Sequence, residues 1–179
     1  MVALRKGHSY SPVKRSYTRK SKVRGKNYIK SVPQNKIIRY VMGDQKKEYL
    51  YRVNLIAKQA IQVRHNALES CRQIVNRRLN GKFGVDYLFV LRVYPHHILR
   101  ENRMLTGAGA DRMQTGMQLS FGTPIGLAAQ LKKKQPVFSV DVDSKDKVEF
   151  AISALKLAAP RMPGTYGVTI EGIKKRQVH

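Results

Sequence analysis

Apolar and polar positions set out most of the chain's elements. Over residues 48–57, Tyr49, Tyr51, Val53 and Leu55 alternate with Leu50, Arg52, Asn54 and Ile56, the two-residue period of a strand. Met42, Gly43, Asp44 and Gln45 before it read as a turn. Residues 59–79 change to helical spacing. Ala60, Val63, Ala67, Cys71 and Ile74, with Ile61, Leu68, Val75 and Leu79, form one stripe, and Arg64, Arg72, Arg77 and Arg78 fall largely outside it. Asn80 and Gly81 read as the stop. Residues 87–93 are nearly all apolar, which predicts a central strand. Further strands are expected over 118–121, 125–132 and 137–142, punctuated by Gly122, Gly126, Gln135 and Pro136. Residues 144–157 predict a second helix. Ser144 is its N-cap, Asp146 suits its first turn, and Val148, Ala151, Ile152, Leu155 and Ala158 form its buried side. Pro160 and Pro163 end it, and 166–170 add a last strand. Few helices among runs of strands argue for a two-layer α+β domain with a mixed sheet.

One stretch breaks this pattern. Residues 91–117 leave regular structure at Tyr94 and Pro95 and continue as a segment rich in cations and glycine, with Glu101 and Asp111 as its only acids. A compact domain seldom carries so long a loop unless it has a job or is disordered. Gly107 and Gly109 let backbone N–H groups approach a phosphate closely, but no Gly-Lys-Ser/Thr follows, so a nucleotide loop is not indicated. His96 and His97 invite metal or acid–base chemistry. Metal sites need three or four converging ligands, and only Glu101 and Asp111 are near in sequence, so packing at the loop base or RNA contact is the favoured reading.

Charge decides the kind of partner. The 179 residues hold 35 Lys and Arg against 11 Asp and Glu, a net charge of +24, which calls for a polyanion. The hydrophobic fraction of 42% still supports a core. Residues 1–40 contain no acid; the first is Asp44. Their cations include Arg5, Lys6, Lys14, Arg15, Arg19, Lys20, Lys22, Arg24 and Lys26, interleaved with Tyr10, Tyr17 and Tyr28. Cations neutralise phosphates and tyrosines stack on bases. A solvated basic tail and an arm that orders on RNA both fit, and the aromatic interleaving favours the arm. The expected organisation is an arm over 1–40 and one domain over 41–179, with the loop 100–117 inserted. Arg64 and Arg72 belong to a helix face expected to meet RNA. Asp141, Asp143, Asp146 and Glu149 mark an end expected to face water or protein. A single cysteine, Cys71, allows no internal disulfide and sits in the apolar stripe, so a packed thiol is expected. No stretch is long and apolar enough to span a bilayer, and no cofactor motif, resident metal site or catalytic triad stands out. A cytoplasmic, non-enzymatic RNA binder is the expectation. A free RNA chaperone is the alternative, and an RNA enzyme using His96 or His97 a distant third.

Three segments then carry a resemblance: residues 62–69 (QVRHNALE), 92–102 (RVYPHHILREN) and 106–112 (TGAGADR). They closely resemble the large-subunit ribosomal protein that archaea and eukaryotes number ten, in the e series, and bacteria number sixteen; the wording here is of the archaeal and eukaryotic type. Tyr17 to Lys20, Val32, Pro33, Met42 and Gly43 extend the likeness into the arm, and Phe121, Gly122 and residues 124–126 and 155–163 extend it toward the C-terminus. Residues 21–27 (SKVRGKN) depart from the family pattern as extra basic residues. The resemblance implies an α/β-hammerhead type of α+β fold. It implies binding to large-subunit rRNA near the central protuberance, with Arg19, Lys20, Arg64 and His65 in contact. It also implies a loop, mobile without tRNA, that reaches toward the peptidyl-transferase centre; His96, His97, Arg100, Arg103, Gly107, Gly109 and Arg112 would carry that role. The implied partners are rRNA, P-site and A-site tRNA, neighbouring ribosomal proteins and assembly factors.

Overall fold

The computed structural model describes residues 6–18, 21–102, 117 and 120–173. Its strands are β1 (Val41–Gly43), β2 (Tyr51–Ala57), β3 (Ile61–Arg64), β4 (Leu88–Leu91), β5 (His97–Glu101), β6 (Thr123–Leu131), β7 (Pro136–Val142) and β8 (Tyr166–Gly172). The helices are α1 (His65–Phe83) and α2 (Lys145–Ala158). The α+β expectation holds. The mixed sheet does not, because all the described ladders are antiparallel. One sheet has five strands in the order β1-β4-β7-β2-β8, and the other has three in the order β3-β6-β5. The reason lies in α2, which carries the chain from β7 to β8 while β2 occupies the place between them. The crossover partners run alike but never touch, so each neighbour is antiparallel.

One apolar core joins both sheets and both helices. Val53 and Leu55 of β2, Phe89 of β4 and Phe138 and Val140 of β7 pack with Leu68, Cys71, Val75 and Leu79 of α1. Ala151, Ala154 and Leu155 of α2 and Val63 and Leu131 of the smaller sheet complete it. The 3,4 spacing along α1 put its four core residues on one face. Asn54 and Ser139, both buried, satisfy each other at 2.7 Å.

Several boundaries differ from expectation, each for a local reason. Helix α1 starts at His65, because residues 61–64 are spent on a ladder with β6 that pairs Ile61 with Leu131 and Val63 with Ala129. It ends at Phe83 rather than Asn80. Gly84 follows the last turn with a φ of 61° that a glycine adopts readily, and its N–H donates to Asn80 O at 2.9 Å. Phe83 then packs edge-on against Phe150 of α2, centroids 5.2 Å apart. Ser144 does precede α2, without a side-chain cap bond. Residues Met42 and Gly43, expected in a turn, belong to β1. The strand expected over 118–121 is not one at Ser120 and Phe121, and 118–119 lie outside the described residues.

Candidate nucleic-acid interface

Basic arm and loop root meet on β5, the strand missing from the sequence reading. Pro95, two histidines and two further charges flank only Ile98 and Leu99, so the segment lacks the alternation of a strand. It is held instead by β6, with Ile98 opposite Leu127, and a bulge between Leu99 and Arg100 re-aims its end. The chain leaves β5 at Glu101 and enters the loop.

The arm lies across this strand and is fixed mostly through its backbone. Gln62 of β3 donates from Nε2 to Tyr10 O (2.9 Å) and from its backbone N–H to Ser11 O (3.1 Å). Gln130 of β6 donates to Lys14 O (2.8 Å) and to Gln62 Oε1 (3.0 Å) and accepts from Ser16 Oγ (2.5 Å). The Tyr10 hydroxyl donates to Glu101 Oε2 (3.1 Å), and the Arg64 guanidinium lies 5.1 Å from its ring centre. Further on, the Tyr17 N–H donates to His97 Nδ1 (2.8 Å), while the Ile98 N–H donates to Tyr17 O (3.0 Å). The Tyr17 ring sits 3.8 Å beneath the Arg100 guanidinium, and its hydroxyl donates to Tyr28 O (3.0 Å). Ile29, 2% exposed, closes a small second core with Ile98 and Leu127.

This anchoring leaves the cationic side chains outward: Lys6, Lys14, Arg15, Lys22, Arg24 and Lys26 are all exposed. A cleft of about 320 Å³ brings Lys14 and Arg15 of the arm together with His97 and Arg100 of the loop root. Glu101 also lines this cleft, whereas Asp141, Asp86 and Asp143 sit elsewhere and are neutralised. Arg52 holds Asp141 through two bonds of 2.8 and 2.7 Å. Lys47 and Lys147 bridge Asp86 and Asp143 where β4 begins and β7 ends. Asp141 was expected on an outward end; at 2% exposed it lies inside, while Asp146 and Glu149 are exposed.

Two positions expected to meet RNA, Arg72 on the helix face and His65 through the resemblance, are buried. Arg72 is 8% exposed, and its guanidinium donates to Glu69 Oε1 (2.5 Å) and Oε2 (2.7 Å). Burial pushes the Glu69 carboxyl up, but these bonds, with help from Gln73 and the Ile38 N–H, outweigh it and hold the group below the usual range. His65 is 7% exposed. Arg77 and Arg78 are exposed as expected. The two loop-base histidines also differ. His96 is exposed with its ring 4.7 Å from that of Tyr94, whereas His97 is half-buried and engaged. Its Nδ1 accepts a bond, so the proton of the neutral ring sits on Nε2. Among the described residues no cluster of three or more His, Cys, Asp or Glu could hold a metal. The Cys71 thiol is buried, and burial pushes it up to about 12, leaving it an unreactive packing group. Arg5, Arg19, Lys20, Arg103, Gly107, Gly109 and Arg112 lie outside the described residues.

A family described as Ribosomal protein L16p/L10e matches residues 12–169. The chain belongs to this family. Among its relatives is the large ribosomal subunit protein uL16 of Methanococcus maripaludis, 44% identical over 164 residues, which are 90% of this chain and 91% of that one. The protein of the same name from Metallosphaera sedula is 42% identical over 165 residues, 90% of each chain. That from Saccharolobus solfataricus is 44% identical over 150 residues, 83% of this chain and 81% of the other. In this L16p/L10e member the arm anchors Gln62, Gln130 and Glu101 were missed by sequence reasoning. Their partners lie 52, 116 and 91 positions away, so no local period marks them. The available signal was no more than a glutamine set between the apolar Ile61 and Val63. Arg100 was expected in the loop, but it belongs to β5, is half-buried, stacks on Tyr17 and donates to Phe121 O (3.0 Å).

Proposed function

We propose that this chain is a structural, non-catalytic constituent of the large ribosomal subunit, and that the arm–β5 assembly is its rRNA-binding face. Family membership supports the first part. The second rests on one observation: the arm is fastened by its backbone, while Lys14 and Arg15 share a cleft with Arg100 at the root of the loop. Cations held on a rigid support lose little freedom on meeting phosphates, and each neutralised phosphate releases a counter-ion. Residues 1–40 then act as the rRNA arm and 41–179 as the body. The loop, expected over 100–117 but rooted in β5 through Arg100 and Glu101, serves the peptidyl-transferase centre and the tRNA ends, with Arg103, Gly107, Gly109 and Arg112 supplying charge and close backbone approach. Arg64 works beside Tyr10, and Arg72 supports the helix from within through Glu69.

Lys14→Ala with Arg15→Ala tests this. The double variant should fold normally, because both side chains are exposed, yet co-sediment with large subunits less after a moderate salt wash. Undiminished co-sedimentation at every salt concentration refutes the arm's role. Arg103→Ala with Arg112→Ala tests the loop: subunits should form but position tRNA poorly.

A further inference from the structure

Behind the arm lies a second concavity that the ladder and helix packing do not use. It has a volume of about 230 Å³ and is lined by Gln34, Lys36, Arg64, His65, Asn66 and Gly126, among others, and none of its lining residues among the described ones is acidic. It opens at the start of α1, a helix of 19 residues whose Arg64 N-cap makes no side-chain capping bond. The first N–H groups of such a helix have no intrahelical acceptor and carry the positive end of its dipole. Asn66 turns its Oδ1 to the Ala67 N–H (2.9 Å), so its NH2 is the end left to donate.

The second observation is independent of the helix end. The His65 side chain is 7% exposed and lines this cavity, yet its Nδ1 is buried without a hydrogen-bond partner. Buried polar atoms are rarely left so, because each costs about 1–3 kcal/mol. Gly126 lies opposite the ring, where an added Cβ would stand at ordinary contact distance, 3.6 Å, from His65 Nε2. Lys36 is exposed and approaches from the segment leading to β1.

We propose that this cavity is an oxyanion site that takes a phosphate group, with Lys36 and Arg64 supplying charge, the start of α1 supplying N–H donors and His65 donating once the anion is seated. Burial and the charges of Lys36 and Arg64 keep the imidazole below the ordinary histidine value, so an anion that offsets those charges brings its proton back. The inference deepens the RNA-binding reading, since a ribose-phosphate backbone is one source of the group and free phosphate the other.

The test uses the full-length chain with the histidine ring nitrogens followed by NMR. Inorganic phosphate should shift the His65 signals saturably and raise its pKa. Lys36→Ala, an exposed position that keeps the fold, should weaken the midpoint roughly tenfold through loss of one charge-assisted contact. Lys132→Ala with Lys133→Ala should leave it unchanged. A fragment of large-subunit rRNA that moves the same signals and excludes phosphate identifies the backbone as the source; phosphate that binds undisturbed beside the RNA identifies the free ion. If His65 responds to phosphate and RNA no more than exposed His8 does, the cavity holds water and the proposal is overturned. Co-sedimentation with large subunits would then still stand, and the loss of co-sedimentation alone would leave the phosphate site intact.

Discussion

Tyr17→Ala removes the central fastening between arm and β5. Three contributions disappear with the ring. The guanidinium of Arg100, 3.8 Å from the ring centre, is worth about 1 kcal/mol at a half-buried site. The hydroxyl bond to Tyr28 O contributes up to about 1 kcal/mol. Half-burial of the ring against the small Ile29, Ile98 and Leu127 core adds about 1 kcal/mol more. The sum of about 3 kcal/mol corresponds to a roughly 100-fold rise in the fraction of molecules with the arm lifted. The backbone bonds at Tyr17 survive the substitution in principle, but they open with the segment.

Hydrogen exchange reads this directly, because the Ile98 N–H donates to Tyr17 O (3.0 Å). Its exchange should quicken roughly 100-fold in the variant, while amides of Val53, Leu55 and Val140 in the buried sheet keep their wild-type rates. Thermal unfolding of the body should barely move. Two results refute the reasoning. Unchanged exchange at Ile98 would mean that the arm does not hold that bond closed. Core amides quickening in step with Ile98 would mean that the arm opens only when the whole chain does.

The other predictions concern single groups. Burial, then the charge of Arg100, holds His97 below the ordinary value of 6.5, and burial with Lys36 and Arg64 does the same at His65. Above 6.5 both rings are neutral folded or unfolded; below it the unfolded chain takes up protons first, so stability should fall from 6.5 down to the lower folded values. Urea midpoints should therefore drop between about pH 7.5 and about pH 5.5, and His97→Gln should flatten part of that slope. Glu69→Ala leaves Arg72 buried without its carboxylate and should cost about 3 kcal/mol in urea unfolding, more than the double change that also makes Arg72 a methionine. Gly43→Ala meets both a φ of 90° and the Tyr87 carbonyl oxygen 1.9 Å from the new Cβ, so it should lower stability by about 3 kcal/mol or more. Gly81→Ala, inside α1 with open space around it, should instead raise it by up to about 1 kcal/mol.

What the sequence made legible follows from whether the information is local. Strand β2, helix α2 and the body of α1 carry their own periods, and Leu68, Cys71, Val75 and Leu79 face the core as their spacing says. Strand β3 was absorbed into the helix because Ala60, Val63 and Ala67 also fit a helical period; only the distant Ala129 and Leu131 decide between the two. Strands β1 and β5 are short, charged or glycine-bearing, and exist because β4 and β6 pair with them. Arginine side chains show the same limit at the site. Nothing near Arg72 distinguished it from Arg77 or Arg78 except a glutamate three residues earlier, and that pairing turned it inward. The basic character of the arm was plain from composition, while its path waited on Gln62 and Gln130.

Under the proposed function, arm docking and RNA binding are coupled, and the sign of the coupling follows from charge. Lys14, Arg15 and Arg100 share one cleft with Glu101 as the only acid among its described lining residues, and the whole chain carries +24. Docking the arm therefore concentrates positive charge, which opposes the hydrogen bonds that hold it. A phosphate backbone entering the cleft removes that opposition without touching the backbone anchors. Binding then favours the docked arm, and by reciprocity the docked arm favours binding to the same extent. Because Tyr17 fastens the arm to His97 at the start of β5, the strand from which the loop departs, RNA held by the arm also fixes the root of the loop. Loosening Tyr17 would thus weaken RNA binding although the residue need never touch a nucleotide, and high salt, by screening the cleft, would make the free arm easier to dock while making RNA harder to hold.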